Sequence, residues 1–145
     1  MQRLSPLVTL MALLLPCSLG AQQATAADSA VATAQVAARS WLTLVDHVRY
    51  GESWDSAATT FRNAVTKPVW EKAVLQARGP LEPFGTRKLL NAEFRRHLPN
   101  APPGEYVVLQ YETKVGGNRT VVETVTPMRE SDGRWRVSGY FVRPQ

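Results

Sequence analysis

The second half of the sequence alternates apolar and polar residues, and this alternation constrains the fold more than any other feature. The segments EYVVLQYETKV, RTVVETVTPM and WRVSGYFV are dense in Val, Tyr and Phe, which favour β-strands. The short turns GGN and SDG separate them, and strands joined by such turns run antiparallel. With TRKLLNAEFRRHL as a first strand, the sequence predicts a four-stranded antiparallel sheet over about residues 86–143.

The first half of the sequence carries apolar residues at helical spacing. They recur in AVATAQVAARSWLTLVDHVRY, SWDSAATTFRNAV and TKPVWEKAVLQAR. These segments predict three helices between about residues 30 and 79, with Gly51 ending the first and Ser53 capping the second. The apolar face of a sheet must be buried, and the predicted helices are the elements available to pack against it. The predicted class is therefore α+β, with three N-terminal helices packed on a curved four-stranded antiparallel sheet.

The alternation within the last strand also predicts its two faces. Trp135, Val137 and Phe141 are expected to face the core. The opposite face is expected to be wet and consists of Arg134, Arg136, Ser138 and Tyr140.

The N-terminal residues have the pattern of a secretory signal peptide. A basic residue is followed by the apolar run LVTLMALLL and then by the small-residue stretch GAQQATAAD, which are the three parts of such a signal. The apolar run contains too few residues between its prolines to span a bilayer as a helix. We expect residues 1–26 to be removed by cleavage after Ala26, with cleavage after Ala21 as the alternative. Residues 27–145 would then form a single domain in the periplasm or outside the cell.

Motifs for metal, cofactor or nucleophile chemistry are missing from the sequence. Cys17, the only cysteine, would leave with the signal peptide, and His47 and His97 lack the spacing of a metal site. The glycine-containing loops lack the lysine and the strand–helix context of a phosphate-binding loop. We therefore predict no metal and no cofactor.

The net charge of +5 favours an anionic partner. Export disfavours nucleic acid, so the expected partner is an unidentified protein or a small apolar or anionic ligand. Homodimerisation through the sheet is a further hypothesis, and no transmembrane segment is expected in the mature chain.

A sheet curled around helices leaves an open end that can hold a ligand. Aromatic residues and one arginine near that end are the candidates for lining such a pocket. They are Trp54, Tyr50, Tyr111 and Arg78.

Glu123 is the carboxylate in the middle of a Val- and Thr-rich strand, and it is a weak candidate for a catalytic general base. It faces inward if Val121 and Val125 do, and it faces outward in the other register. We favour the outward orientation, paired with an arginine, because burying a lone carboxylate is costly.

Several segments also resemble a known family, most specifically RGPL, PPGEYVVLQYET and WRVSGYF. The chain resembles, over nearly all of its predicted mature length, the bacterial exported family called domain of unknown function 4019. The resemblance implies a small exported domain and implies nothing about mechanism. The order of helices followed by a curved sheet is also similar to the cystatin-like and NTF2-like folds, but such an analogy does not determine function.

Three functions are compatible with these observations. The favoured one is a small exported binding or interaction module without catalytic activity. The alternatives are a pocketed cone-fold enzyme, hydrolase- or isomerase-like, that uses Glu123 as general base, and a structural component of an envelope assembly.

Overall fold

A computed structural model describes the backbone of residues 19–145 and the side chains from residue 26 onward. Most of the predicted signal peptide, residues 1–18, lies outside the described residues. Both predicted cleavage positions, after Ala21 and after Ala26, fall within the first helix. None of the helices from residue 19 onward has the length and apolar character needed to cross a membrane.

The described chain consists of helices followed by one sheet. The helices are α1 (Leu19–Asp46), α2 (Tyr50–Asp55), α3 (Thr59–Ala64) and α4 (Lys67–Arg78), and a 3-10 turn (Gly79–Leu81) follows α4. The strands are β1 (Arg87–Arg95), β2 (Glu105–Val115), β3 (Arg119–Arg129) and β4 (Trp135–Pro144). All neighbouring strands are antiparallel and follow the order β1-β2-β3-β4. The predicted α+β class with a four-stranded antiparallel sheet is confirmed.

The helical part differs from the prediction in its boundaries. α1 ends at Asp46, because Val48 adopts a left-handed backbone (φ 59), so Gly51 lies inside α2 instead of ending α1. The predicted second helix is two short helices, because the Ala58 backbone N–H donates to the Val137 carbonyl on the edge of β4 (2.8 Å). Ser53 is not a cap.

Ser53 is buried within α2, where it accepts hydrogen bonds from two tryptophans. Its carbonyl accepts from the indole N–H of Trp41 (2.8 Å), and its hydroxyl accepts from that of Trp70 (3.0 Å). Buried indole groups usually find such partners, so Ser53 ties α1, α2 and α4 together.

α1 lies across the inner face of the sheet and contacts all four strands. Its buried residues recur every three or four positions, which places them on one face. They are Ala34, Ala38, Trp41, Leu42 and Val45. Together with the inward side chains of the strands, these residues form the main core.

The predicted faces of β4 are correct at its start and wrong beyond Ser138. Trp135 packs against the core and Val137 is buried. Pairing with β3 then shifts, because Ser138 is an extra residue that bulges from β4, and a bulge reverses which side chains face inward. Tyr140 therefore packs into the core, whereas Phe141 is 70% exposed.

The tip of the β2–β3 hairpin packs tightly against the segment that follows α4. The Gly116 N–H donates to the Leu81 carbonyl (2.9 Å), and the Arg119 guanidinium donates to the Pro80 carbonyl (2.7 Å). A Cβ atom at Gly116 would lie 2.1 Å from the Glu82 carbonyl oxygen. Only glycine fits this backbone approach without displacing one of the two segments.

We expect Gly116→Ala to lower the free energy of unfolding by more than about 1 kcal/mol, because the added methyl group meets backbone that cannot rotate away. Urea unfolding followed by circular dichroism measures this. Gly79→Ala is the matched control, since Gly79 has a right-handed helical backbone and open space around it. The control should be neutral or slightly stabilising, and equal losses in the two variants would contradict the close approach.

Candidate functional site

Charged and hydroxyl side chains from six elements meet where the C-terminal ends of α1 and α4 reach the inner face of the sheet. We call this group the charge cluster. It consists of Asp46 from α1, Arg78 from α4, Arg87 from β1, Thr113 from β2, Glu123 from β3 and Tyr140 from β4.

Glu123 lies at the centre of the charge cluster and is 0% exposed. Val121 and Val125, on the same face of β3, are also buried, so the outward orientation that we favoured is wrong. The expected outward partners, Arg119 or Arg136, do not pair with it; its partners are two inward arginines, Arg78 and Arg87. Two inward guanidinium groups make the buried carboxylate tolerable, because a buried charge needs opposite charge and hydrogen bonds.

The acceptor capacity of Glu123 is filled. Its Oε1 accepts hydrogen bonds from the Tyr140 hydroxyl (2.6 Å) and from Arg78 and Arg87 (3.2 Å each). Its Oε2 accepts from Arg87 Nε (2.6 Å) and from the Thr113 hydroxyl (2.6 Å). A carboxylate offers about four lone-pair positions, so the neighbours leave none for an outside group.

The two arginines are held by further partners. Arg87 binds both oxygens of Asp46, through Nη1 (2.6 Å) and Nη2 (2.7 Å), which is the strong bidentate geometry. Arg78 is 0% exposed, donates to Asp46 Oδ1 (2.7 Å) and to Glu82 (3.4 Å), and stacks 3.5 Å from the centre of the Phe84 ring. Glu82 and Phe84 therefore cover the cluster on the side of the loop that follows α4.

The pKa values of the cluster follow from burial opposed by charge. Burial alone would raise the pKa of Asp46, but the hydrogen bonds and charges of Arg87 and Arg78 outweigh it and hold that pKa below 3.8. The acidic partners raise the pKa of both arginines against the opposing effect of burial. Burial and the charge of Glu123 raise the pKa of Tyr140, so its hydroxyl stays protonated and donates.

We expect part of the acid sensitivity of this protein to come from Asp46. A carboxyl whose pKa is lowered by folding contributes stability that is complete above its unfolded value of 3.8 and is lost as pH falls through the lower folded pKa. Asp46→Asn should therefore be less stable than the wild type at pH 7 and should lose less stability between pH 5 and pH 2. Urea unfolding across this range measures both effects, and Asp28→Asn at an exposed position of α1 is the control. An unchanged acid slope in Asp46→Asn would contradict the assignment.

An open groove lies beside the charge cluster, between α1 and the start of the sheet, with a volume of about 370 Å³. We call it the α1–β1 groove. It is lined by Gln35, Arg39, Leu42, Thr43, Asp46, Gly85, Arg87, Leu89 and Tyr111. Leu89 pairs with Tyr111 across the strands, and the β1 pairing shifts just after it. Within the described part of the chain, no group of three or more His, Cys, Asp or Glu residues is arranged to hold a metal ion.

The predicted pocket residues lie in different places. Tyr111 lines the α1–β1 groove, and Arg78 belongs to the charge cluster. Tyr50 is buried in the main core, and this burial raises the pKa of its hydroxyl. Trp54 lies apart from the groove, where its indole N–H donates to the Val65 carbonyl (2.8 Å).

Sequence reasoning missed Asp46, Arg87, Tyr140 and Arg39 as site residues. For Asp46 a signal was present, because it follows Ala38 and Leu42 at intervals of four and so continues the buried stripe of α1. Nothing comparable marked Arg87 or Tyr140, whose orientation depends on strand pairing and on the bulge at Ser138.

The family described as "Protein of unknown function (DUF4019)" matches residues 37–140, which is more than half of the chain. The chain belongs to the DUF4019 family. The matched span runs from the middle of α1 to Tyr140 in β4 and contains the whole charge cluster. A comparison with curated proteins found no match. The family that RGPL, PPGEYVVLQYET and WRVSGYF indicated is thus confirmed, whereas its bacterial and exported character stays a prediction.

Proposed function

We propose that this DUF4019 protein is a small exported module that binds a ligand in the α1–β1 groove and has no catalytic activity. The observation that carries the proposal is the contrast between the closed charge cluster and the open groove beside it. Glu123 at the centre of the cluster is closed to a substrate, whereas the groove, which Asp46 and Arg87 of the cluster help to line, is open.

The state of Glu123 supports binding over catalysis. A general base must come within about 2.6–3.2 Å of the proton that it removes. Glu123 is 0% exposed and its oxygens are already occupied by five hydrogen bonds. The alternative of a cone-fold enzyme with Glu123 as base therefore has little support.

The dimensions and lining of the groove support a ligand. Pockets for small molecules measure about 300–1,000 Å³ and combine apolar walls with a few polar groups. The volume of the α1–β1 groove falls within this range. Its lining combines apolar side chains, such as Leu42 and Leu89, with polar ones, such as Arg39 and Tyr111.

A direct test of binding uses three eight-carbon amphiphiles: octanoate, octylammonium and octanol. Octanoate and octylammonium are titrated into ¹⁵N-labelled protein below their micelle-forming concentrations and octanol below its solubility limit, and amide shifts are followed by NMR. We expect at least one of them to shift the amides of the groove, such as those of Thr43, Gly85 and Leu89. Shifts from none of the three, or shifts confined to other surfaces, would contradict a ligand site in the groove.

Export is supported by the three-part signal pattern and by the position of the core. Among the α1 side chains that the structure describes, from residue 26 onward, the first buried one is Ala34, so cleavage after Ala26 would shorten α1 and keep this buried face. N-terminal sequencing of protein from a periplasmic fraction tests this, with an expected start at Ala27, or at Gln22 for the alternative site. A mature protein that starts at Met1 would contradict export by this route.

Homodimerisation through the sheet and a structural role in an envelope assembly stay predictions. Phe141 on β4 is 70% exposed. A contact between the sheets of two copies would cover this large apolar side chain. Sedimentation of the wild type beside Phe141→Ser would detect such a contact as a concentration-dependent mass that the variant lacks.

A further inference from the structure

The α1–β1 groove contains a buried hydroxyl with no partner. Tyr111 is 6% exposed, and its hydroxyl makes no hydrogen bond within the described residues. Burial raises the pKa of Tyr111, the charges of Arg39 and Arg87 oppose the rise, and both arginines line the same groove. A buried hydroxyl without a partner is rare because it loses its hydrogen bond to water. Since the hydroxyl oxygen itself has almost no accessible surface, a small shift of the Tyr111 ring toward the groove would be needed for a ligand acceptor to satisfy it.

The same groove contains an arginine without a counter-ion. Asp46 and Glu123 together neutralise Arg78 and Arg87, since each carboxylate forms ion pairs with both arginines. Arg39 takes part in none of the salt bridges within residues 26–145. The charged lining, Arg39, Arg87 and Asp46, thus carries an excess of one positive charge, which favours an anion.

Two leucines also line the groove, beside the polar side chains of Gln35 and Thr43. Leu42 is 2% exposed and belongs to the core, whereas Leu89 is 39% exposed and pairs with Tyr111 across the strands. An exposed leucine next to a buried one offers a surface that an apolar chain can cover, with a gain roughly proportional to the area removed from water.

We propose that the α1–β1 groove binds a small monoanionic amphiphile, in which an acid group is carried on a short apolar chain. The acid group lies against the Arg39 guanidinium and accepts a hydrogen bond from the Tyr111 hydroxyl. The apolar chain lies along Leu42 and Leu89. This inference rests on the proposed function, because it names the ligand class of the same groove.

Other ligand classes fit the groove less well. A cation would need Asp46, whose two oxygens are already held by Arg87 and Arg78. A neutral amphiphile could accept from Tyr111 but would leave Arg39 without a counter-ion. A multiply charged anion would exceed the single excess positive charge of the lining.

The test compares the three eight-carbon probes at low ionic strength, where an exposed arginine is least screened. We expect octanoate to bind more tightly than octanol and octylammonium to bind least, as measured by NMR shifts of the groove amides. Arg39→Gln and Tyr111→Phe should each weaken octanoate binding by about tenfold, because each removes a charge-assisted contact. Arg143→Gln, which removes an equal charge from an exposed position of β4, should change the affinity by less than about twofold.

The outcomes separate this inference from the proposed function. If octylammonium or octanol binds the groove as tightly as octanoate, the acid group is not recognised and the inference is overturned, while the groove still binds a ligand. If Arg39→Gln and Arg143→Gln weaken octanoate equally, the effect is one of net charge and the assignment to Arg39 is overturned. If none of the three probes reaches the groove, both the inference and the proposed function are contradicted.

Discussion

Replacing Glu123 with alanine is expected to lower the free energy of unfolding by about 3–5 kcal/mol, which is typical when one partner of a buried ion pair is removed. Arg78, 0% exposed, would lose one of its three carboxylate partners and keep Asp46 and Glu82. Arg87 would keep only Asp46, and the hydroxyls of Thr113 and Tyr140 would lose their acceptor. Urea unfolding at pH 7 measures the loss.

Glu93→Ala is the matched control for this prediction. Glu93 lies on β1 and forms an ion pair with Arg95, and both side chains are about half exposed. Exposed pairs of this kind contribute at most about 1 kcal/mol. A loss of similar, small size in Glu93→Ala and Glu123→Ala would mean that the charge cluster does not stabilise the fold.

Replacing Trp41 with alanine is expected to cost about 3–5 kcal/mol of unfolding free energy, as for other large aromatic side chains removed from a core. Trp41 is 3% exposed, and its ring centre lies 5.7 Å from that of Trp70 and 5.4 Å from that of Tyr140. The substitution would also remove the hydrogen bond to the Ser53 carbonyl. It therefore loosens the contact of α1 with α2, α4 and β4 at once, and thermal or urea unfolding measures the effect.

Val36→Ala is the control for replacing an apolar side chain of α1 with alanine. Val36 lies on the same helix and is 56% exposed, so its truncation should change stability by less than about 0.5 kcal/mol. If Val36→Ala were as destabilising as Trp41→Ala, the face of α1 that packs on the sheet would be wrong.

The fold class could be predicted because it depends on periodicity that local sequence carries. The alternation in EYVVLQYETKV is typical of a strand, and the spacing of apolar residues around Trp41 is typical of a helix. The faces of β4 beyond Ser138 could not be predicted, because the bulge depends on how β4 pairs with β3. One extra residue exchanged Tyr140 and Phe141 between core and solvent.

The charge cluster could be predicted only in part. Glu123 stood out among Val and Thr, and Arg78 was a candidate, but burial of the carboxylate depends on charges that are distant in sequence. Asp46, Arg78 and Arg87 come from three elements, and only the packing of α1 and α4 on the sheet brings them to Glu123. A lone buried carboxylate is costly, and the charges and hydrogen bonds of two arginines offset much of that cost.

The charge cluster and the groove share two residues, Asp46 and Arg87. The cluster therefore fixes one wall of the groove, which is a rigid setting for a ligand site. Variants of Glu123 are accordingly expected to act first on stability, whereas variants of Arg39 and Tyr111 are expected to act on ligand binding.

The melting temperature of Tyr111→Phe, with and without octanoate, tests most directly the claim that the groove is a ligand site. Without octanoate the variant should melt a few degrees higher than the wild type, because an unpaired buried hydroxyl costs about 1–3 kcal/mol and phenylalanine removes it. Octanoate should raise the melting temperature of the wild type and raise that of the variant much less. A variant that melts lower than the wild type and is stabilised equally by octanoate would contradict the account, since the hydroxyl would then already be satisfied within the protein.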